Sequence, residues 1–168
     1  RWFKDSVCGQ EKDGDYFDVL NDAAKDIPAG SDGVLFLPYL TGGTNDVKEA
    51  TGCFLNMTLD TDQATLWHAV LEAIGYDYME ITDLYRGAGV DMSRITITEG
   101  GSRSGIWNQM KSDMLGSEVI TLKNAGGAVV TDCIVGAYAL GHITDMKAAL
   151  TESLEIKKLY YTNAENHD

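Results

Sequence analysis

Ile95-Thr96-Ile97-Thr98-Glu99-Gly100-Gly101-Ser102 alternates apolar and polar residues over four positions and then stops on two glycines. That is the pattern of a strand with one wetter face running into a tight turn. Behind the turn, Ile106, Trp107, Met110 and Met114 fall on one side of a helix that Gly116 closes. The same order follows at once. Val119-Ile120-Thr121-Leu122 reads as a strand and Asn124-Ala125-Gly126-Gly127 as a turn. Val130, Ile134, Ala137 and Gly141 then make a small-residue stripe on a helix able to pack closely against a sheet. Strand, turn and helix in succession define an α/β class.

Working outward, Trp67, Leu71, Ile74, Tyr78, Ile81 and Tyr85 recur at alternating spacings of four and three, which predicts a long core-facing helix over about Thr61 to Tyr85, with Asp60 or Thr61 as its cap. Val34-Leu35-Phe36-Leu37, between Gly33 and Pro38, predicts a strand buried on both faces. Phe17, Leu20, Ala24 and Ile27 place a helix that stops at Pro28. Thr41 to Thr51 reads as a surface loop. A short helix is expected near Asp145 to Leu150, and the stretch from Tyr160 to Asp168 has no period.

The 168 residues are 44% apolar, enough for one domain with a sizeable core. Thirteen Lys and Arg against twenty-six Asp and Glu leave a formal charge of -13, which repels a polyphosphate chain, so nucleic acid and anionic membranes are excluded as partners. No apolar run reaches the roughly 18 residues of a membrane span, and no basic stretch followed by an apolar signal region opens the chain. Cys8, Cys53 and Cys133 share no paired spacing and stand far from His68, His142 and His167, which fits a reducing cytoplasm better than a zinc site or a disulfide framework.

Chemistry concentrates on the two glycine-bearing turns. Each admits two readings: a plain turn that needs φ > 0, or a backbone cradle in which N–H groups and the start of a helix face an anion. Neither matches the P-loop or the Gly-x-Gly-x-x-Gly fingerprint. Turns that follow neighbouring strands of one sheet would face the same end, where open α/β sheets bind ligands, so a shared nucleotide site is a candidate. Elsewhere the residues read as structural. Asp46, Asp60 and Asp62 lack cation-binding spacing, Trp67 and Trp107 read as core, and His68 has no Ser or Cys beside it in sequence. Cys53 and Cys133 sit among apolar residues. No acid, base and nucleophile set is visible.

Taken together, several stretches resemble the C-terminal domain of the FGGY family of carbohydrate kinases, the xylulokinases most closely. They are Gly33-Val34-Leu35-Phe36-Leu37-Pro38-Tyr39-Leu40, Trp67-His68-Ala69-Val70-Leu71-Glu72, Glu99-Gly100-Gly101-Ser102-Arg103-Ser104, Ile106-Trp107-Asn108-Gln109-Met110 and Ser112-Asp113-Met114-Leu115-Gly116. The resemblance implies an actin-like ATPase, ribonuclease H-like α/β domain with a mixed sheet flanked by helices. It implies ATP and magnesium as cosubstrate and cofactor, a nucleotide held at Gly100, Gly101, Ser102, Ser104, Gly126 and Gly127, and phosphorylation of a sugar hydroxyl, D-xylulose above others.

It further implies that residues 1–168 are part of the C-terminal, nucleotide-binding domain, with the sugar-binding domain and the catalytic aspartate in a segment before Arg1. On that expectation the chain alone is inactive, leaves an apolar face around Trp2, Phe3 and Val34 to Leu40, and forms a homo-oligomer. Several positions depart from the family pattern. Thr41-Gly42-Gly43-Thr44-Asn45 replaces a charged Gly-Glu-Arg-Thr-Pro loop, Asn56 stands where glycine is expected, and Thr65 stands for an acid, amide or histidine. Glu99 replaces a first glycine. The alternative these departures favour is a non-catalytic binding or regulatory module that kept the fold.

Overall fold

The computed structural model describes residues 1–11, 14–43, 48–124 and 127–167. They form two compact units, Arg1–Asp83 and Leu84–Asp168.

In the first unit an aromatic cluster makes the core. Phe3 and Trp67 lie 5.5 Å apart, Phe36 and Phe54 4.5 Å, and Phe17 and Trp67 5.9 Å, with Trp2 stacked on Phe36. Such pairs add about 0.5–1.5 kcal/mol each beyond the area they bury. Trp67 is anchored further by its indole N–H, which donates to Asn21 at 3.1 Å. Phe3, expected on an exposed face, is buried; it sits in one wide helical turn, Phe3–Val7. Helix α1, Tyr16–Ala24, ends three residues before Ile27, so Ile27 lies outside it.

Strand β1, Leu35–Leu37, pairs antiparallel with β2, Cys53–Leu55, which the sequence reading missed because three residues show no period. The expected two-sided burial of β1 is wrong. Phe36 points into the core, while Leu35 and Leu37 stand 42% and 38% exposed. Helix α2, Gln63–Gly87, is capped by Asp62, whose carboxylate accepts from the Thr65 backbone N–H at 2.9 Å and from its hydroxyl at 3.0 Å. The first half of α2 is buried on most sides. Further along, Tyr78, Ile81 and Tyr85 are exposed, contrary to the expected core face.

The second unit holds a three-stranded sheet of β3 (Arg94–Ile97), β4 (Glu118–Leu122) and β5 (Ile156–Tyr160). β3 and β4 run parallel, with Ile97 opposite Thr121; β5 joins β4 antiparallel, so the sheet is mixed as expected. β5 was missed, since Ile156-Lys157-Lys158-Leu159-Tyr160 carries two lysines in place of an apolar run. β4 is the central strand, with Val119, Ile120, Thr121 and Leu122 all buried.

Helix α3, Gly105–Leu115, corrects a further expectation. Its buried positions are Asn108, Lys111, Ser112, Asp113 and Leu115, while Ile106, Trp107, Met110 and Met114 are half-buried. Apart from Asn108 Oδ1, and Lys111, whose Nζ rests on the Trp107 ring, the polar groups of this face find partners. The Ser112 hydroxyl donates to Ser117 and Tyr160 carbonyls at 2.8 and 3.1 Å, and Asp113 accepts from the Asn163 N–H at 2.8 Å.

Helix α4, Gly127–Ala139, contacts α5, Met146–Ser153, and buries no residue fully. Its Val130, Ile134 and Ala137 stripe is the more sheltered side, but the close packing on a sheet expected of it is not formed. A short α6, Ala164–His167, follows β5. Among the described residues no helix is long and apolar enough to cross a membrane.

Candidate functional site

Because β3 and β4 are parallel, the segments that leave them emerge at one edge of the sheet, and antiparallel β5 begins there too. This register converges three pieces of chain on a cavity of about 260 Å³: Glu99, Gly100, Ser102 and Arg103 after β3, Leu122 and Lys123 at the end of β4, and Lys157 near the start of β5. Arg103, Lys123 and Lys157 bring three cations to a chain whose net charge is -13. Lys123 also pairs with Glu155. A cation-lined cleft at the carboxyl ends of parallel strands is suited to an anion.

Of the residues expected to hold a nucleotide, Gly100 and Ser102 line this cavity. Gly101 and Ser104 are set back from it. The Ser104 hydroxyl caps α3 by accepting from the Trp107 N–H at 3.3 Å. Gly101 lies against Trp107, where a Cβ would stand 3.0 Å from the ring. Gly127 opens α4 beside Thr98, 3.4 Å from where its Cβ would be. Gly126, Thr44, Asn45 and Asp46 lie outside the described residues. Asn108, Lys111, Arg103, Lys123 and Lys157 were not singled out from sequence. Asn108 fastens the turn, its side-chain amide donating to the Ser102 carbonyl at 2.8 Å.

Neither Gly100 nor Gly101 has a positive φ; the strained residue of the turn is Glu99, at φ 62° and ψ -160°. This region is essentially open to glycine alone and costs other residues about 1–3 kcal/mol. The departure noted at Glu99 therefore falls on the one position where glycine is needed. Glu99→Gly relieves that strain against about 0.5–1 kcal/mol of added chain entropy, for a net gain of about 1 kcal/mol. Thermal melting should move up by roughly 2–4 °C. A melting point at or below wild type would show that the turn holds this backbone without strain. Asn56, the other missing glycine, has φ 60°, a conformation asparagine tolerates, and its side-chain amide donates to Gly33.

In the first unit, His68 has the partners that its neighbours in sequence did not reveal. Its Nδ1 lies 2.8 Å from Ser31 Oγ, and the Ser31 hydroxyl donates to Glu72 at 2.6 Å. Glu72 also accepts the Gly30 N–H at 2.7 Å. Since the Ser31 proton goes to the carboxylate, Nδ1 of His68 must donate to Ser31 Oγ. Burial pushes the Glu72 carboxyl up, but His68 close beside it and the bonds from Ser31 and Gly30 outweigh burial and hold the group below the usual glutamate value. Ser31 is completely buried, so this Ser, His and Glu set is closed to substrate and acts as a structural lock. Cys53 and Cys133, expected in apolar surroundings, are exposed. No group of three His, Cys, Asp or Glu able to hold a metal occurs among the described residues.

A glycine-bearing turn after a parallel strand, a capped helix behind it and cations around the opening give this sheet edge a charge complementary to an anion. Residues 2–140 match the FGGY family of carbohydrate kinases, C-terminal domain, and the chain belongs to that family. Over 99% of its length it is 29% identical to the xylulose kinase of Staphylococcus epidermidis, and over 88% it is 31% identical to the gluconokinase of Bacillus subtilis. It spans about a third of the length of these curated relatives, 33% and 31% respectively. The crystal structure of xylulose kinase from Rhodospirillum rubrum superimposes with a TM-score of 0.76 at 24% identity, covering 95% of this chain and 32% of that one. The fold is thus that of the actin-like ATPase C-terminal domain.

Proposed function

We propose that the chain is the nucleotide-binding part of an ATP-dependent sugar kinase that phosphorylates D-xylulose. The observation that carries this reading is the cavity at the Gly100 turn, in a chain that belongs to a carbohydrate kinase family. ATP fits the residues present. Gly100 and Ser102 let backbone approach the phosphates, and Arg103, Lys123 and Lys157 offset their charge. The described residues hold no ligand cluster for magnesium, which would arrive with the nucleotide and supply charge neutralisation. On this reading the sugar-binding residues and the aspartate that activates the sugar hydroxyl belong to sequence outside these 168 residues, in keeping with the third of its relatives that the chain spans. Cytoplasmic location and homo-oligomeric assembly belong to the same proposal.

Gluconate is the second substrate reading, favoured by the 31% identity to a gluconokinase. The experiment is a coupled ADP-release assay on the full-length protein across pentuloses, hexuloses, polyols and gluconate, with light scattering on the same sample. Turnover fastest on D-xylulose by an oligomer is the expected result. Preference for gluconate moves the substrate. Nucleotide binding with no turnover on any sugar supports the non-catalytic module, which the uncharged residues Thr41, Gly42 and Gly43 favour.

A further inference from the structure

Lys111 carries a charge that none of the described residues balances. It is 2% exposed, its Nζ lies 3.6 Å from the centre of the Trp107 ring, and it makes no hydrogen bond or ion pair with any described residue. The ring face returns about 2 kcal/mol, short of the several that burying an ammonium costs. Burial accordingly lowers the Lys111 amine to about 8.

The ionisable groups around it are engaged elsewhere or face the cavity. On α3 itself, Asp113 accepts from Gln109, Asn163 and Asn166. The preceding turn brings Glu99 and Arg103, both at the cavity. β4 brings Glu118, held by Arg94. β5 brings Lys157 at the cavity, and Lys158 over the Tyr160 ring. α6 brings Glu165 and His167, whose Nδ1 is 2.7 Å from the Asp113 carbonyl.

The place of the ammonium is informative. A Cβ on Gly101 would stand 3.7 Å from Lys111 Nζ, so the charge lies beneath the backbone of the turn whose Gly100 and Ser102 line the cavity. We infer that Lys111 is a positioning residue of the nucleotide site: it braces the Gly100–Arg103 turn through Trp107, and the phosphates of a bound nucleoside di- or triphosphate supply its missing counter-charge. This rests on the nucleotide reading above. By linkage, an anion that favours the charged amine must itself bind more tightly when the amine is protonated.

The test is calorimetry of MgADP binding to the full-length protein at about pH 7.5, 8.5 and 9.5, a range over which ADP itself no longer titrates. Wild type should weaken about fivefold or more from the lowest to the highest pH, with a binding heat near pH 8 that depends on the buffer. Lys111→Met should bind weakly and independently of pH, Lys111→Arg tightly and independently of pH, and adenosine should show no pH effect in any of the three. Equal pH slopes in wild type and Lys111→Met overturn the role of Lys111 and leave the nucleotide reading intact. Failure of the wild type to bind MgADP overturns that reading and, with it, this one. Should the methionine variant not fold, the lysine ¹³Cε titration of wild type decides. A resonance titrating near pH 8 that moves upward with MgADP supports the inference, and one that stays in place refutes it.

Discussion

Glu72→Ala should lower the melting temperature by roughly 6–12 °C at neutral pH, which corresponds to about 3 kcal/mol or more for opening one side of a buried charged network. The size follows from what the carboxylate holds. Gly30, Ser31, Asp32 and Gly33 all have φ between 49° and 86°, a run of left-handed backbone that costs its two non-glycine members strain. Glu72 fastens that run by accepting from the Gly30 N–H and the Ser31 hydroxyl, with His68 3.6 Å away. Without it, two buried donors lose their acceptor and the strain has no counterweight.

The effect is pH-dependent with a definite sign. The folded-state value for Glu72 lies below the ordinary 4.5, so its stabilisation is complete above about 4.5 and is lost as pH falls through the folded value. The gap between wild type and Glu72→Ala should therefore narrow in acid. Glu72→Gln, which keeps one acceptor oxygen, should fall between the two at pH 7. Equal melting points for wild type and Glu72→Ala would mean that the Gly30–Gly33 loop holds itself.

A pair of glycine substitutions separates the ligand from the fold at the other site. Gly100 has open space where its Cβ would go, yet it lines the cavity; Gly101 is set back from the cavity, with Trp107 3.0 Å from its would-be Cβ. Gly100→Val in the full-length protein should leave the melting point within a few degrees of wild type and raise the KM for ATP about tenfold, since the new side chain occupies ligand space; a tenfold change is about 1.4 kcal/mol. Sugar affinity should stay nearly unchanged. Gly101→Val should instead cost about 1–3 kcal/mol of stability by overpacking against the indole, and should weaken ATP by shifting the turn. If Gly100→Val folds normally and turns over with unaltered ATP dependence, the nucleotide does not approach this turn.

Much of this protein was legible before any coordinates. The strand at Ile95, the glycine turn, the helix closed by Gly116 and the strand at Val119 are each specified by short-range pattern, because alternation, capping and left-handed glycine are properties of neighbouring residues. The family resemblance was carried by the same segments. The turn that brings Gly100 and Ser102 to the cavity could be marked for the same reason.

The rest required residues distant in sequence to meet. β5 was invisible because its lysines hide the pattern, and it becomes a strand by pairing with buried β4. Only that pairing brings Lys157 to the edge where Arg103 and Lys123 already stand. Ser31 and Glu72 are 41 positions apart, so no local signal joins them to His68. The inner face of α3 likewise turned out polar, since the backbone carbonyls that accept from the Asn108 amide and the Ser112 hydroxyl come from the turn before the helix and from β5. Local sequence determines which segments are helix, strand or turn. Which side chains share a site, and which charges go unbalanced as at Lys111, is decided by packing between segments, where burial removes the water that would otherwise satisfy each group alone.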